Sequence, residues 1–192
     1  MLCYLSYSWD SLWWIPVLFL ERCIPLLVQQ NLDGSNFFNR SWMEFKFGFS
    51  DNRGNYWLGN ELLSQLTHSG RFKLRFDLQA RAGGWFYAEY STFVVMGEED
   101  NYKLHVYEYS GNAGQDSFSY QNGMMFTTYD RDNDPWTDNA NCAVHNGGGF
   151  WYNECAHCGV NTIRGRGGGF RWLGLGPDGD GLQSSRMWIL CQ

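Results

Sequence analysis

Apolar and polar side chains alternate strictly from Arg71 to Leu78, with Phe72, Leu74, Phe76 and Leu78 set against Arg71, Lys73, Arg75 and Asp77. A period of two belongs to a strand with one buried face. Trp85 to Val95 and Tyr102 to Tyr109 read as two more strands, joined by the charged turn Gly97-Glu98-Glu99-Asp100. An antiparallel sheet is the simplest way to combine them. Leu182 to Leu190, where Met187 and Ile189 alternate, is expected to return to that sheet. Helical spacing occurs twice. Phe38, Trp42, Phe45 and Phe49 recur at three- and four-residue steps, which predicts an amphipathic helix over 35–49 capped by Ser35 or Asn36. A shorter helix is expected from Asn60, with Leu62, Leu63 and Leu66 on its apolar side and Gly70 at its end. His68 suits the dipole of that helix end and receives no catalytic role. From Tyr109 to about Gly181 the periodicity fades into Gly, Asn, Asp and Ser, the mark of a loop-rich half that needs covalent or metal staples.

The apolar run from Leu12 to Leu20 is interrupted by Pro16 and is too short to cross a bilayer. Asp10 precedes it and Glu21-Arg22-Cys23 follows it, unlike the basic start and small-residue cleavage site of a secretory leader. Residues 1–24 are therefore expected to form a divergent leader or a disordered segment, and 25–192 one domain with a loop-rich subdomain over about 110–181. At 192 residues and 44% hydrophobic, the chain has ample core material for that domain. A formal net charge of -6 argues against binding a phosphate backbone, so no nucleic-acid partner is expected. Six cysteines, Cys3, Cys23, Cys142, Cys155, Cys158 and Cys191, suit a secreted, disulfide-bonded chain, and spacing leaves their connectivity open. The sequon Asn39-Arg40-Ser41 agrees with an extracellular setting and marks Asn39 for glycosylation.

The densest chemistry lies between Tyr129 and Cys158, where an acidic run precedes cysteines and a Gly-rich aromatic segment. Asp130, Asp132, Asp134 and Asp138 stand at EF-hand positions one, three, five and nine. Pro135 replaces the required Gly, however, and Asn141 the bidentate Glu. Two readings remain: a non-EF calcium loop around Asp132 and Asp134, or a solvated Asx-rich turn. Cys155-Ala156-His157-Cys158 resembles a metal or redox motif, with Cys142 and His145 as further zinc candidates. The spacing fits zinc poorly, no strand–helix context supports a redox motif, and disulfides are the better reading. Gly174-Leu175-Gly176-Pro177-Asp178-Gly179 matches a dinucleotide fingerprint without the crossover helix or acidic residue that such binding needs. No nucleophile elbow, zinc-protease motif or phosphate loop is present, so the chain is read as a non-enzyme.

Taken together, these segments resemble the fibrinogen C-terminal (fibrinogen-related) domain of fibrinogens, ficolins, tachylectins, angiopoietins, tenascins and microfibril-associated glycoproteins. The resemblance runs through Leu32 to Ser35 (LDGS), Phe38 to Trp42, Tyr56 to Glu61 (YWLGNE), Ala88 to Tyr90 and Asp100 to Leu104 (DNYKL). It continues through Ser110 to Gln115 (SGNAGQ), Asn122 to Asp134 (NGMMFTTYDRDND) and Asn141 to Ala143, and covers about residues 25 to 192. It implies an α+β fold: a twisted antiparallel sheet with short helices and a loop-rich calcium-binding subdomain. It implies Ca2+ held by the carboxylates of Asp132 and Asp134, the Trp136 carbonyl and a second carbonyl from about Asp138. Two extra residues stand between Trp136 and Cys142 relative to the common pattern. The resemblance further implies a Cys142–Cys155 disulfide, a cis Glu154–Cys155 peptide and a ligand pocket. Trp151, Tyr152, Glu154, Cys155, His157, Phe170 and Trp172 are its candidates.

Three departures from the family pattern stand out: Ala156 occupies the family's His position, Leu173 to Pro177 replace an aromatic-rich segment, and the first subdomain is replaced by residues 1–24. The expected function is secreted, calcium-dependent, lectin-like recognition of acetylated glycans in innate immunity. The alternative is a protein-interaction module, of a matrix or signalling ligand, that binds a protein receptor without sugar specificity. A homo-oligomer is compatible with both.

Overall fold

The computed structural model describes residues 24–68, 72–137, 140–175 and 181–192. The expectations placed on residues 1–23, Gly70, Arg71, Asp138 and the stretch 176–180 lie outside these. The described strands are β1 (Leu26–Asn31), β2 (Phe49–Ser50), β3 (Tyr56–Trp57), β4 (Phe72–Ala80), β5 (Trp85–Val95), β6 (Leu104–Gly111), β7 (Phe126–Thr127), β8 (Phe150–Trp151) and β9 (Leu182–Cys191). Seven of them form one sheet in the order β2-β3-β1-β9-β4-β5-β6, and each neighbouring pair is antiparallel. β9 takes the middle of this sheet, with Leu26 opposite Ile189 on one side and Phe76 opposite Met187 on the other. The period-two reading of β4 holds: Phe72, Leu74, Phe76, Leu78 and Ala80 are buried, and the intervening side chains are half-exposed. Tyr90, Phe93, Met187 and Ile189 join these side chains in the core.

β6 begins two residues later than its hydrophobicity suggests. Asn101 and Tyr102 are both left-handed, each with φ of 52°, and two such residues in succession break the extended ladder. The Tyr102 N–H instead donates to the Gly97 carbonyl at 3.0 Å and its hydroxyl to Glu61 Oε2 at 2.9 Å, while its ring stacks on Trp42.

The helix expected over 35–49 is split. Asn36–Phe38 is a 3₁₀ turn, and the helix proper, α1, spans Trp42–Phe47. Ser41 caps it through a reciprocal box with Glu44: its hydroxyl accepts the Glu44 N–H, and a Glu44 carboxylate oxygen accepts the Ser41 N–H at 2.9 Å. The Ser-x-x-Glu signal was present in the sequence, but the aromatic spacing extends through it. Gly48 ends α1 at φ 88°, where a Cβ would lie 2.5 Å from the Leu58 carbonyl oxygen. The second helix, α2, spans Asn60–Thr67 as expected, with Leu63 and Leu66 buried.

The capping box carries a prediction. Ser41→Ala, in protein made without glycosylation because Ser41 also completes the Asn39 sequon, should lower unfolding free energy by about 1 kcal/mol in urea titrations. The Ser41 N–H, before other contacts, holds the Glu44 carboxyl below its ordinary range. Glu44's contribution is therefore full above its unfolded value of about 4.3, and is lost as pH falls through the depressed folded value. The stability gap between wild type and Glu44→Gln should close below about pH 4.

The loop-rich half holds the two-stranded pair β7–β8, with Phe126 opposite Trp151, and a short helix, α3 (Cys142–Asn146). Buried amides fasten it to the sheet. Gln29 Nε2 donates to the Val160 carbonyl, Asn161 Oδ1 and Ser185 Oγ at 3.0–3.1 Å. Asn31 Nδ2 reaches the same Val160 carbonyl, and Gln121 Nε2 donates to the Trp151 carbonyl at 2.8 Å. Buried polar groups satisfied in this way fix one arrangement of loops that have no periodic structure of their own.

Candidate functional site

The acidic loop is ordered mainly by its own carboxylates. Asp130 Oδ1 accepts the Trp42 N–H at 2.9 Å and the Thr128 hydroxyl at 2.7 Å, which ties the loop to the start of α1. Asn133 Nδ2 donates to the Phe126 carbonyl at 2.7 Å. Asp134 is half-buried: Oδ1 accepts the Trp136 N–H at 3.1 Å and Oδ2 the Cys142 N–H at 3.0 Å. The same carboxylate thus braces the loop against the start of α3, where Asn141 caps through the Val144 N–H. Asp132 is exposed, with Oδ1 3.3 Å from the Asp134 nitrogen. Burial first, and the adjacent Asp132 charge as well, outweigh the two N–H bonds and push the Asp134 carboxyl up to about 6. Trp136 is half-buried against the His145 ring.

No group of three or more His, Cys, Asp or Glu side chains positioned to share a metal occurs among the described residues. They provide two neighbouring carboxylates and backbone carbonyls. That donor set is chemically suited to a hard cation, because crowded negative charge disfavours ionisation and a divalent ion reverses this. Each Asp134 oxygen retains a lone pair beyond its N–H bond.

Cys142 and Cys155 form a disulfide, joining α3 to the turn that follows β8. Cys158 is a buried thiol that meets Gln121 Oε1 at 3.0 Å and is pushed up by burial; it does not pair with Cys191. The peptide geometry departs from expectation. No cis bond occurs among the described residues; instead Glu154 and Cys155 take successive positive φ values of 47° and 73°. The Asn153 N–H closes the turn on the Cys155 carbonyl at 2.8 Å, and Asn153 Nδ2 anchors it to the Tyr120 carbonyl. The N–H groups of Glu154, Cys155, Ala156 and His157 donate to no acceptor among the described residues.

The expected pocket residues divide into two sets. Glu154 is exposed, and Cys155 and His157 are half-exposed, with the imidazole stacked on Tyr120 at 3.7 Å and 11°. Trp151, Tyr152, Phe170 and Trp172 are interior side chains, none more than 2% exposed, so these four pocket candidates do not present their rings to solvent. Their polar atoms are turned to the backbone: Trp151 Nε1 to the Tyr102 carbonyl, the Tyr152 hydroxyl to Gly148, and Trp172 Nε1 to Gln115. Burial raises the Tyr152 phenol above its usual value. Aromatic content alone does not distinguish a cup from a core, and here the core claims the rings. Nothing in the residue pattern places Tyr120 or Arg171 at this turn. Arg171 Nη2 lies 3.4 Å from the Ala156 carbonyl oxygen, through a β-bridge between Cys158 and Trp172 that no local pattern announces.

Residues 25–175 match the family model for the C-terminal globular domain of fibrinogen beta and gamma chains, and the chain belongs to that family. Among its relatives is angiopoietin-related protein 2 of Homo sapiens, 45% identical over 145 residues, covering 76% of this chain and 29% of that protein. Ficolin-3 of Homo sapiens is 41% identical over 136 residues, covering 71% of this chain and 45% of that protein. The chain therefore spans less than half the length of either relative. The solved fibrinogen-like globe domain of human ANGPTL2 superposes with a TM-score of 0.76 at 40% identity, covering 86% of this chain and 79% of that domain. A lamprey fibrin D-dimer, complexed with the peptide Gly-His-Arg-Pro-amide, gives 0.73 at 29% identity, covering 86% and 60%. The fold is thus the α+β fibrinogen C-terminal-like fold. No helix among the described residues is long and apolar enough to cross a membrane.

Proposed function

We propose that this chain is a secreted, non-enzymatic recognition domain whose Asn153–His157 turn contacts a protein partner. The observation that carries this reading is the burial of Trp151, Tyr152, Phe170 and Trp172. An acetyl methyl needs an apolar cup open to solvent, and the aromatic candidates for the pocket are packed inside. What the turn offers is a short strip of unpaired N–H groups beside the half-exposed His157 and Tyr120, suited to the backbone carbonyls and polar side chains of another protein. The similarity to angiopoietin-related protein 2 supports the same direction. The disulfide and exposed Asn39 suit an extracellular, glycosylated protein. A lectin reading keeps one support: the N–H groups flanking His157 would also suit an amide oxygen, and ficolin-3 is a relative.

Labelled protein passed over an array of receptor ectodomains and over an N-acetylglucosamine matrix separates the two. Capture on the array that weakens in a His157→Ala variant is the expected result. Retention on the sugar matrix, released by free acetylated sugar, would return the chain to the lectins.

Calcium belongs to this proposal. Asp132 and Asp134, with the Trp136 carbonyl, would hold the ion, and the ion would supply the positive charge that fixes the loop leading into α3 and the disulfide. A cation bound only by the folded state stabilises it by about 2.7 kcal/mol at about one hundred times its dissociation constant. Chelation should therefore lower the melting temperature by about 5–10 °C. Asp132→Ala, whose side chain is exposed, should melt like the chelated protein with or without calcium. An unchanged wild-type melting curve on chelation would refute the site.

A further inference from the structure

Arg171 is a cation left with little to compensate it. Arg40, Arg53, Arg75 and Arg131 each meet a carboxylate. Arg171 forms no ion pair among the described residues, and its one side-chain bond is the long contact from Nη2 to the Ala156 carbonyl at 3.4 Å. Its Nε is sealed from solvent without any acceptor. A guanidinium carries five donors and no acceptor and stays charged at all accessible pH. Holding one half-buried with a single weak bond is unfavourable unless another group completes it.

Its position decides which group that is. The Arg171 carbonyl accepts the Gly159 N–H at 2.8 Å, and the Leu173 N–H donates to the His157 carbonyl at 3.0 Å. These bonds lock the Arg171 backbone alongside the Cys155–His157 turn. The same turn presents the N–H groups of Glu154, Cys155, Ala156 and His157, which meet no acceptor among the described residues. Peptide donors and a guanidinium thus belong to the same turn, with Arg171 Nη2 beside the Ala156 carbonyl, and such donors stabilise negative charge brought from outside. Glu154 is the acidic residue of the turn, and it is exposed and in no ion pair among the described residues.

Resting on the reading of this turn as a protein-contact surface, we infer that Arg171 and the 154–157 backbone form a carboxylate-binding subsite that takes an acidic side chain of the partner protein. The Arg171 fork would meet one carboxylate oxygen and the turn's N–H groups the adjoining peptide carbonyl. Specificity for acidic over neutral partners then comes from Arg171, and general affinity for peptide comes from the turn.

Two blocked amino acids of nearly equal shape test this: N-acetyl-aspartate amide and N-acetyl-asparagine amide, titrated against 15N-labelled protein while the amide signals of 154–157 are followed. The expected result is about tenfold tighter binding of the aspartate probe, the worth of one charge-assisted hydrogen bond. Arg171→Gln should bring the two probes to equality, Arg171→Lys should retain part of the preference, and Glu154→Gln should strengthen the aspartate probe. The comparison of two probes on wild-type protein stands even if a variant folds poorly. Equal binding of both probes to wild type overturns the Arg171 subsite and leaves the turn as a contact surface. Absence of any response at 154–157 overturns both. Glucuronic acid binding more tightly than the aspartate probe would overturn the protein partner in favour of an acidic glycan.

Discussion

Trp151→Ala is expected to lower the unfolding free energy by about 3–5 kcal/mol, the range for deleting a large ring from a packed core. The indole is fully buried, with ring centroids of Phe126, Phe150, Trp57, Phe118 and Phe93 at 5.1, 5.3, 6.2, 6.2 and 6.5 Å. It is the point where β8 of the loop-rich half meets side chains from β3, β5 and β7. Deletion opens a cavity among five aromatic rings whose mutual packing restricts collapse, and strips the Tyr102 carbonyl of the Nε1 donor 2.7 Å away. Urea titration should show a lower midpoint with an unchanged slope. A loss of under about 1 kcal/mol together with abolished ligand binding would make Trp151 a ligand-pocket residue instead.

Removing the disulfide is the second large effect. The Cys142–Cys155 link closes a loop with a sequence separation of 13. The chain-entropy estimate for a loop of this size is about 3 kcal/mol. The double variant Cys142→Ala, Cys155→Ala should lose about that much, and hydrogen exchange should show where. Amides of α3 and the 153–157 turn should exchange first, while β4, β5 and β9 keep their protection, because that sheet is hydrogen-bonded independently of the link. Uniform loss of protection across the sheet would mean that the two halves unfold as one unit.

The parts of this structure legible in the sequence share one property: their side-chain period is long enough to be counted. β4, β5 and β9 run nine to eleven residues and announce themselves through alternation or apolar content. β2, β3, β7 and β8 have two residues each and exist only because a partner segment lies alongside. β1 alternates imperfectly because Gln29 and Asn31, polar in type, are buried as hydrogen-bond donors to the loops. The acidic loop could be located from Asp132 and Asp134. That Asp130 and Asp134 serve as braces for α1 and α3 depends on N–H groups, some of them far along the chain, that no spacing reveals. The aromatic residues around the turn were identifiable as a group, but whether each ring faces inward or outward is settled by the sheet beneath them.

The central place of β9 bears on how the chain is made. Every other described strand leaves the ribosome before it, yet β1 and β4, which flank it, do not pair with each other in the finished sheet. Until Leu182–Cys191 emerges, these two strands hold half-formed ladders with open edges, and the apolar face of β4 lacks Met187 and Ile189. Such intermediates are prone to mispairing, and contacts joining positions as distant as Leu26 and Ile189 form slowly. The core of this domain is therefore completed only when β9 emerges, and until then the nascent strands have to be kept from aggregating.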